Sequence, residues 1–313
     1  MDSKALDKEI LTQLLHRTDI SSYTRLKIKK QLSHLYSGMK GENQSAYQLG
    51  FHFGQSADWI IIHDLRLVYQ HQVAQIDHLL INRFLQTFVC ESKSVAGGIV
   101  INEQGEFLYQ YQDKKHGTAS PLQQNQRHIA ILKNIFMSGL ITLPKRLGIN
   151  LQPRLESLIL IANDTYIRRP QTRVAGIDCI IKNEQIKTKI DERINKLNVF
   201  HLCKKISSTT LEDIGQQLCS LHRPKPTKNW YKYFGIYPSD EFNIINSGMS
   251  GKLQSKNHEA NQPELATVQL CNCCGKNLST AEEQFCHRFK NRFNGKAYCY
   301  LCQRIIESNK KVD

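Results

Sequence analysis

The positions of apolar residues divide the chain into helical and extended stretches before any chemistry is considered. Residues 3–17 (SKALDKEILTQLLHR) and 22–37 (SYTRLKIKKQLSHLYS) carry apolar side chains at spacings of three and four, which predicts two amphipathic helices with Ser3 and Ser22 as caps. They are expected to pair antiparallel and lead into the main domain. Residues 38–42 (GMKGE) read as a break before a further helix, NQSAYQLGFHF, with Glu42 as a favourable acid near its start. Extended runs follow at 59–69, 73–81 and 87–93, then at 97–111, giving an α-β-β-β order. A helix is predicted over 120–136, with Ser120 as cap and Pro121 at its first position. Runs at 157–164 and 176–182 extend the sheet, and 187–197 and 208–222 read as covering helices, the second capped by Thr209 or Thr210. The expected class is α/β, a mixed sheet flanked by helices.

One stretch, QIDHLLINRFLQTFVCESK over 75–93, concentrates reactive side chains on a predicted antiparallel hairpin. Centred on Phe84, it places Asp77 opposite Glu91, with Cβ atoms about 4.5–5.5 Å apart. Strand alternation puts Val89, Glu91 and Lys93 on one face, so two carboxylates and an ammonium converge. Neighbouring carboxylates raise each other's pKa and need a cation between them. Lys93 supplies one positive charge, and Mg²⁺ or Mn²⁺ suits the oxygen donors. Such a cation lowers the pKa of an attacking water, and cation and lysine together stabilise the charge on a phosphate. By spacing alone, the same D…ExK pattern also describes a solvated hairpin face.

Five motifs in order carry a family resemblance: GMKGE (38–42), HDLRL (63–67), QIDHLLI (75–81), ESK (91–93) and SPLQQNQRH (120–128). This series resembles the NERD, or nuclease-related domain, family of the PD-(D/E)XK nuclease superfamily, over roughly residues 38–140. The resemblance implies a restriction-endonuclease-like sheet in which Asp77 and Glu91 ligate a metal and Lys93 positions or activates water. It implies that Glu42 completes the metal site or acts just behind it. Gln124 and His128, four apart on one helix face, match the family's glutamine and histidine beside the site, and Asp64 matches as well. One position departs from the pattern: the helical motif commonly begins Asn-Pro, and this chain has Ser120-Pro121.

Charge fits a polyanionic partner. The 313 residues carry a formal net charge of +14, which favours nucleic acid, and no amphipathic membrane anchor stands out. The longest apolar runs fall well short of the roughly 20 residues that span a bilayer. The charged start MDSKALDKEI is unlike a signal peptide, so a cytoplasmic location is expected. No GxxxxGK(S/T) motif occurs, which excludes a P-loop motor for unwinding. In RPKPTKNWYKYFG (223–235), lysines interleave with aromatics, a composition for phosphate contact and base stacking or for an aromatic clamp that docks the domain end.

Six of the ten cysteines lie after residue 270. Cys271 with Cys274 and Cys299 with Cys302 form two CxxC knuckles whose spacing brings four thiolates to one tetrahedral Zn²⁺. Four thiolates leave no open position, so the zinc is expected to be structural, and a module this small needs the metal to fold. Cys286 or His287 could replace one ligand or serve a second site; the preferred reading leaves them, with Cys273, to packing. Arg288, Lys290, Arg292 and Lys296 lie near Phe289 and Phe293, a composition that grips a phosphate backbone or docks a protein.

The organisation expected is a helical pair (1–37), a nuclease-like domain with helical extension (38–245), a polar linker (246–269) and a four-cysteine zinc module (270–313). The function expected is a Mg²⁺- or Mn²⁺-dependent nuclease acting on DNA, in repair or in defence against foreign DNA, with RNA left open as substrate. The competing readings are a catalytically silent DNA-binding or sensing protein, and a factor that recruits a protein partner through the zinc module.

Overall fold

The computed structural model describes residues 3–196, 205–236, 270–272, 278–300 and 302–303. Its contacts group the chain into two units, His34–Lys225 and a second made of Met1–Ser33 with Pro226–Asp313. The expected linker at 246–269 and Cys203, Cys273 and Cys274 lie outside the described residues. Among the described residues, no helix is long and apolar enough to cross a membrane.

Two helices open the chain, α1 (Ser3–Leu15) and α2 (Ser22–Phe53). The break expected at 38–42 does not occur. α2 is one helix of 32 residues, and Glu42 sits in its interior, not near a start. Glycines lower helix propensity by about 1 kcal/mol each, but tertiary packing decides most helices, and Leu49 and Phe53 anchor the end of this one in the core.

The larger unit is built on a five-stranded sheet. Its strands are β1 (Trp59–Tyr69), β2 (Gln72–Asn82) and β3 (Gln86–Lys93), followed, after other elements, by β9 (Arg154–Ile161) and β11 (Ile180–Lys182), in spatial order β1-β2-β3-β9-β11. β1, β2 and β3 are antiparallel neighbours, whereas β3, β9 and β11 run parallel. Part of the predicted run 176–182 is a 3-10 turn, Ile177–Cys179, leading into β11.

Asn82 fixes the β2–β3 turn. Its Oδ1 accepts hydrogen bonds from the backbone N–H groups of Phe84 and Gln86, both at 3.0 Å. The ladder is therefore centred on Phe84, with His78 opposite Cys90 and Leu79 opposite Val89. Asp77 and Glu91 occupy the next rung in that register.

A second, four-stranded sheet contains β4 (Gly98–Ile101), β5 (Phe107–Tyr111), β6 (Lys114–Thr118) and β10 (Tyr166–Arg168), in order β10-β4-β5-β6. A short hairpin of β7 (Lys145–Arg146) and β8 (Ile149–Asn150) stands apart from both sheets. The remaining helices of this unit are α3 (Pro121–Met137), α4 (Ile186–Asn195) and α5 (Ser208–Ser220). The cap of α5 is Ser207, whose hydroxyl accepts from Thr210 N, in place of Thr209 or Thr210.

Three buried clusters place these layers. Ile131, Leu132 and Ile135 of α3 and Leu211, Ile214 and Leu218 of α5 pack with Leu79 and Val89 of the large sheet. Ile99, Ile101 and Phe107 of the second sheet pack with Ile159, Ile161 and Ile180. Since Glu91 pairs with Ile159 and Lys93 with Ile161, those residues share one face, and Glu91 and Lys93 emerge in the seam between α3 and the second sheet. Leu49 and Phe53 of α2 and Ile186 and Ile190 of α4 cover the opposite face at Leu80, Phe88 and Cys90. Each fully buried aliphatic contributes about 1.5–3 kcal/mol, so this seam is held from three sides.

In the other unit, α1 buries Ile10, Leu11 and Leu14. A short helix α6 (Trp230–Phe234) docks there, Trp230 Nε1 donating to Asp7 Oδ1 at 2.7 Å. Lys228 lies over the rings of Trp230 and Tyr233. Trp230 and Tyr231 are buried, which is the docking role left open for the 223–235 segment.

Candidate active site

Glu91, Lys93 and Gln124 form a closed ring of contacts. Lys93 Nζ donates to Glu91 Oε1 at 2.5 Å and to Gln124 Oε1 at 3.3 Å, while Gln124 Nε2 donates to the same Glu91 oxygen at 2.8 Å. The amide thus turns its N–H toward the carboxylate and its carbonyl toward the ammonium, matching both charges. His128, one turn further along α3, brings Nδ1 to 3.9 Å from the other carboxylate oxygen, Glu91 Oε2.

The position of α3 follows from local sequence. Ser120 accepts from Gln123 N as the cap and Pro121 pre-sets the first turn. Asn125, fully buried, ties the helix to the sheet, its Nδ2 donating to Val89 O at 2.7 Å and to Ser157 Oγ at 2.8 Å. Asn125 is a site-positioning residue that its sequence context does not mark, because its partners lie on β3 and β9.

Asp77 enters from β2, and its Oδ2 accepts from the backbone N–H of Ser92 at 2.8 Å. The Ser92 hydroxyl lies 3.0 Å from His78 Nε2 and 3.0 Å from Ser45 Oγ of α2. His78 Nδ1 in turn lies 2.7 Å from His63 Nδ1 on β1, and Ser45 Oγ 3.0 Å from Asn183 Oδ1. The sequence assigns no role to Ser45, His63, His78 and Ser92, since single serines and histidines carry no distinguishing pattern of their own. Asp64 on β1 has a left-handed φ of +52°. It interrupts the β1–β2 ladder without shifting it, and its Oδ1 accepts from Gln75 Nε2 at 2.7 Å.

Glu42 approaches from α2, where Gly41 crosses the end of β3. A Cβ at Gly41 would fall 2.6 Å from the Cβ of Ser94, so only glycine permits this approach without displacement. The Glu42 charge acts on Glu91.

Burial dominates the electrostatics. It pushes the Glu91 carboxyl above its usual range, against the lowering influence of Lys93 and Gln124, and Glu42 adds to the rise. For Lys93, burial favours the neutral amine, but Glu91, Tyr109 and Asp77 outweigh it and hold the ammonium above its ordinary pKa. Burial, with the charges of Arg127 and Lys93, drives His128 down to about 4. Its approach to Glu91 is therefore a contact of a neutral imidazole and not an ion pair.

Glu91 and His128 present one place for a bound water or cation, whereas Glu42, Asp77 and Glu91 do not bring three ligand atoms within 4.8 Å of one another. Glu91 Oε2 and His128 Nδ1 are both buried without a hydrogen-bond partner among the described residues. Buried polar atoms of this kind call for a water or an ion. A cation there would offset the repulsion between Glu91 and Glu42.

In the C-terminal region, Cys271, Cys299 and Cys302 are buried with their sulfur atoms all within 4.8 Å of one another. Tetrahedral Zn²⁺ with Zn–S bonds of about 2.3 Å spaces its ligands by about 3.8 Å, so this cluster can hold a metal. Cys271 Sγ also accepts from Cys299 N at 3.2 Å. The expected fourth ligand, Cys274, lies outside the described residues. Cys286 packs behind the cluster on α7 (Thr280–Arg288), its sulfur accepting from Tyr298 N and Gln303 Nε2. Phe293 is buried beside Phe285 and Tyr298, whereas Phe289 is partly exposed.

Residues 37–161 match the family model of NERD, described as nuclease-related domain. That span contains Glu42, Asp64, Asp77, Glu91, Lys93, Gln124 and His128. Neither the curated proteins nor the solved structures contain a match.

Proposed function

We propose that the NERD domain matched at residues 37–161 is a metal-dependent DNA nuclease. The observation that carries this reading is the division of labour on Glu91, one oxygen held by Lys93 and Gln124 and the other, beside neutral His128, without a hydrogen-bond partner among the described residues. Glu91, Asp77 and Glu42 would hold Mg²⁺ or Mn²⁺. When bound, such a cation supplies Lewis acidity, lowering the pKa of water and drawing charge from a phosphate.

The chain's own groups account for the rest. Lys93 stays protonated, because Glu91, Tyr109 and Asp77 outweigh its burial, so its role is to donate to a non-bridging phosphate oxygen and stabilise charge that develops there. Gln124 orients Glu91 and Lys93 relative to each other. Neutral His128 offers a ring nitrogen that can accept a hydrogen bond from water at the open side of Glu91. The Ser92 amide fixes Asp77. The net positive charge supplies affinity for the phosphate backbone that weakens with salt, and Cys271, Cys299 and Cys302, with Cys274 as the expected fourth ligand, would hold a structural Zn²⁺ in the C-terminal module. DNA repair and defence against foreign DNA are the settings that use such an activity.

The test is incubation of the purified chain with linear, circular, single-stranded and branched DNA in Mg²⁺, Mn²⁺ or EDTA. Metal-dependent cleavage of at least one substrate is expected. Absence of cleavage on all of them, with DNA binding intact, would transfer the domain to a binding or sensing role.

A further inference from the structure

The hairpin of β5 and β6 runs from the candidate active site into solvent. Its inner end belongs to the site: Tyr109 packs against the cluster that contains Ile159 and Ile161, the residues paired with Glu91 and Lys93. Its outer end, residues 111–117, is exposed throughout. The register pairs Tyr109 with His116 and Tyr111 with Lys114. Directly opposed residues share a face, so these four side chains line the face that begins at Lys93.

This face carries the rings of Tyr109, Tyr111 and His116 beside the ammonium of Lys114. Tyr109 and Tyr111 are two residues apart on one strand, a separation of about 6.8 Å. Tyr111 is 59% exposed, with no buried contact to explain a large aromatic there. Lys114 and His116 share it on the neighbouring strand, Lys115 pairs with Gln110 on the opposite face, and Asp113 is the acid of the tip. Aromatic platforms beside lysines bind single-stranded nucleic acid, the rings stacking on bases and the ammonium groups following the backbone. A duplex hides its base faces and cannot use such a ring in this way.

We propose that the β5–β6 hairpin is a platform for a single-stranded DNA segment, with Tyr111 stacking on an unpaired base and Lys114 contacting phosphate, that leads the strand toward Lys93. The substrate end of this inference rests on the nuclease reading; the binding surface itself does not.

The test is fluorescence anisotropy of the full chain with a labelled oligothymidine and with a blunt duplex, in EDTA so that no strand is cut. Tyr111→Ala is expected to weaken oligothymidine binding by about tenfold or more and duplex binding by less than about twofold. Tyr111→Phe should retain the oligothymidine affinity, since the ring remains, and Lys114→Ala should reduce the salt dependence of binding. Unchanged oligothymidine affinity in Tyr111→Ala, an equal loss on the duplex, or failure of the wild type to bind oligothymidine would overturn the platform. An oligoribonucleotide bound more tightly than oligothymidine would overturn the assignment to DNA. A wild type that binds in this pattern but never cuts would refute the nuclease and leave the platform standing.

Discussion

The backbone N–H of Ser92 donates to Asp77 Oδ2 at 2.8 Å, so the residue between Glu91 and Lys93 holds the third member of the cluster in place. Its hydroxyl points to the other face of the sheet, toward His78 Nε2 and Ser45 Oγ. β3 therefore serves the site on one face and a buried polar chain on the other. Ser92→Ala removes a hydrogen bond from buried His78 and from buried Ser45, and each such bond contributes about 0.5–1.5 kcal/mol. Urea denaturation should show a loss of that size; unchanged stability would mean that the chain reaching His63 and Asn183 does not support the sheet.

Gly41 and Gly38 lie in the same helix but in different surroundings. A Cβ at Gly41 meets Ser94 at 2.6 Å, whereas one at Gly38 meets nothing within 4 Å. Gly41→Val should push α2 from the end of β3, carry Glu42 away and weaken Mn²⁺ binding by about tenfold, a shift of about 1.4 kcal/mol. Gly38→Ala should leave Mn²⁺ binding unchanged and raise stability by up to about 1 kcal/mol. Calorimetric titration of both variants separates position in the helix from proximity to the site.

His128 sets an acid-sensitive contribution to stability. Its pKa falls from an ordinary 6.5 to about 4 in the folded chain, so between those values the unfolded chain takes up a proton that the folded chain does not. The stability is present in full above pH 6.5 and is lost as pH falls toward 4, by about 3 kcal/mol at the limit. Unfolding free energy measured from pH 7.5 to 4 should drop less steeply in His128→Asn than in wild type. Parallel curves would place the acid sensitivity elsewhere.

The cysteine cluster should bind one metal. Metal analysis of the purified chain should find about one equivalent of zinc, and Cys302→Ser should lose it. A fully retained equivalent in Cys302→Ser would remove that residue from the ligand set.

Much of this arrangement was legible in the sequence because its causes are local. β1 was readable from its run of β-branched and aromatic residues. The register of β2 on β3 followed from a turn centred on Phe84, which Asn82 enforces through two hydrogen bonds. Ser120 and Pro121 marked the start of α3 because a cap and a fixed φ act within one turn. What escaped was tertiary in origin. The continuation of α2 through Gly38 and Gly41 depends on packing at Leu49, Phe53 and Ser94, which propensity does not register. β6 is KKHGT, exposed along most of its length, with no alternation to reveal a strand held only by its pairing with β5. Asn125 acts through the Val89 carbonyl, and Ser92 through its own amide on Asp77 and its hydroxyl on His78 and Ser45; these partners lie on other elements, and nothing in the immediate sequence announces them.

In the proposed nuclease, Lys93 and Glu91 belong to one metal-dependent phosphodiesterase centre. Its most direct test is the rate of Mg²⁺-dependent DNA cleavage by Lys93→Ala beside wild type, with DNA affinity measured on the same preparations. Removal of a charge-stabilising donor typically lowers the rate by about 10²–10³-fold, and that loss with affinity changed by no more than a few-fold is the predicted result. Cleavage by Lys93→Ala at the wild-type rate would contradict the account.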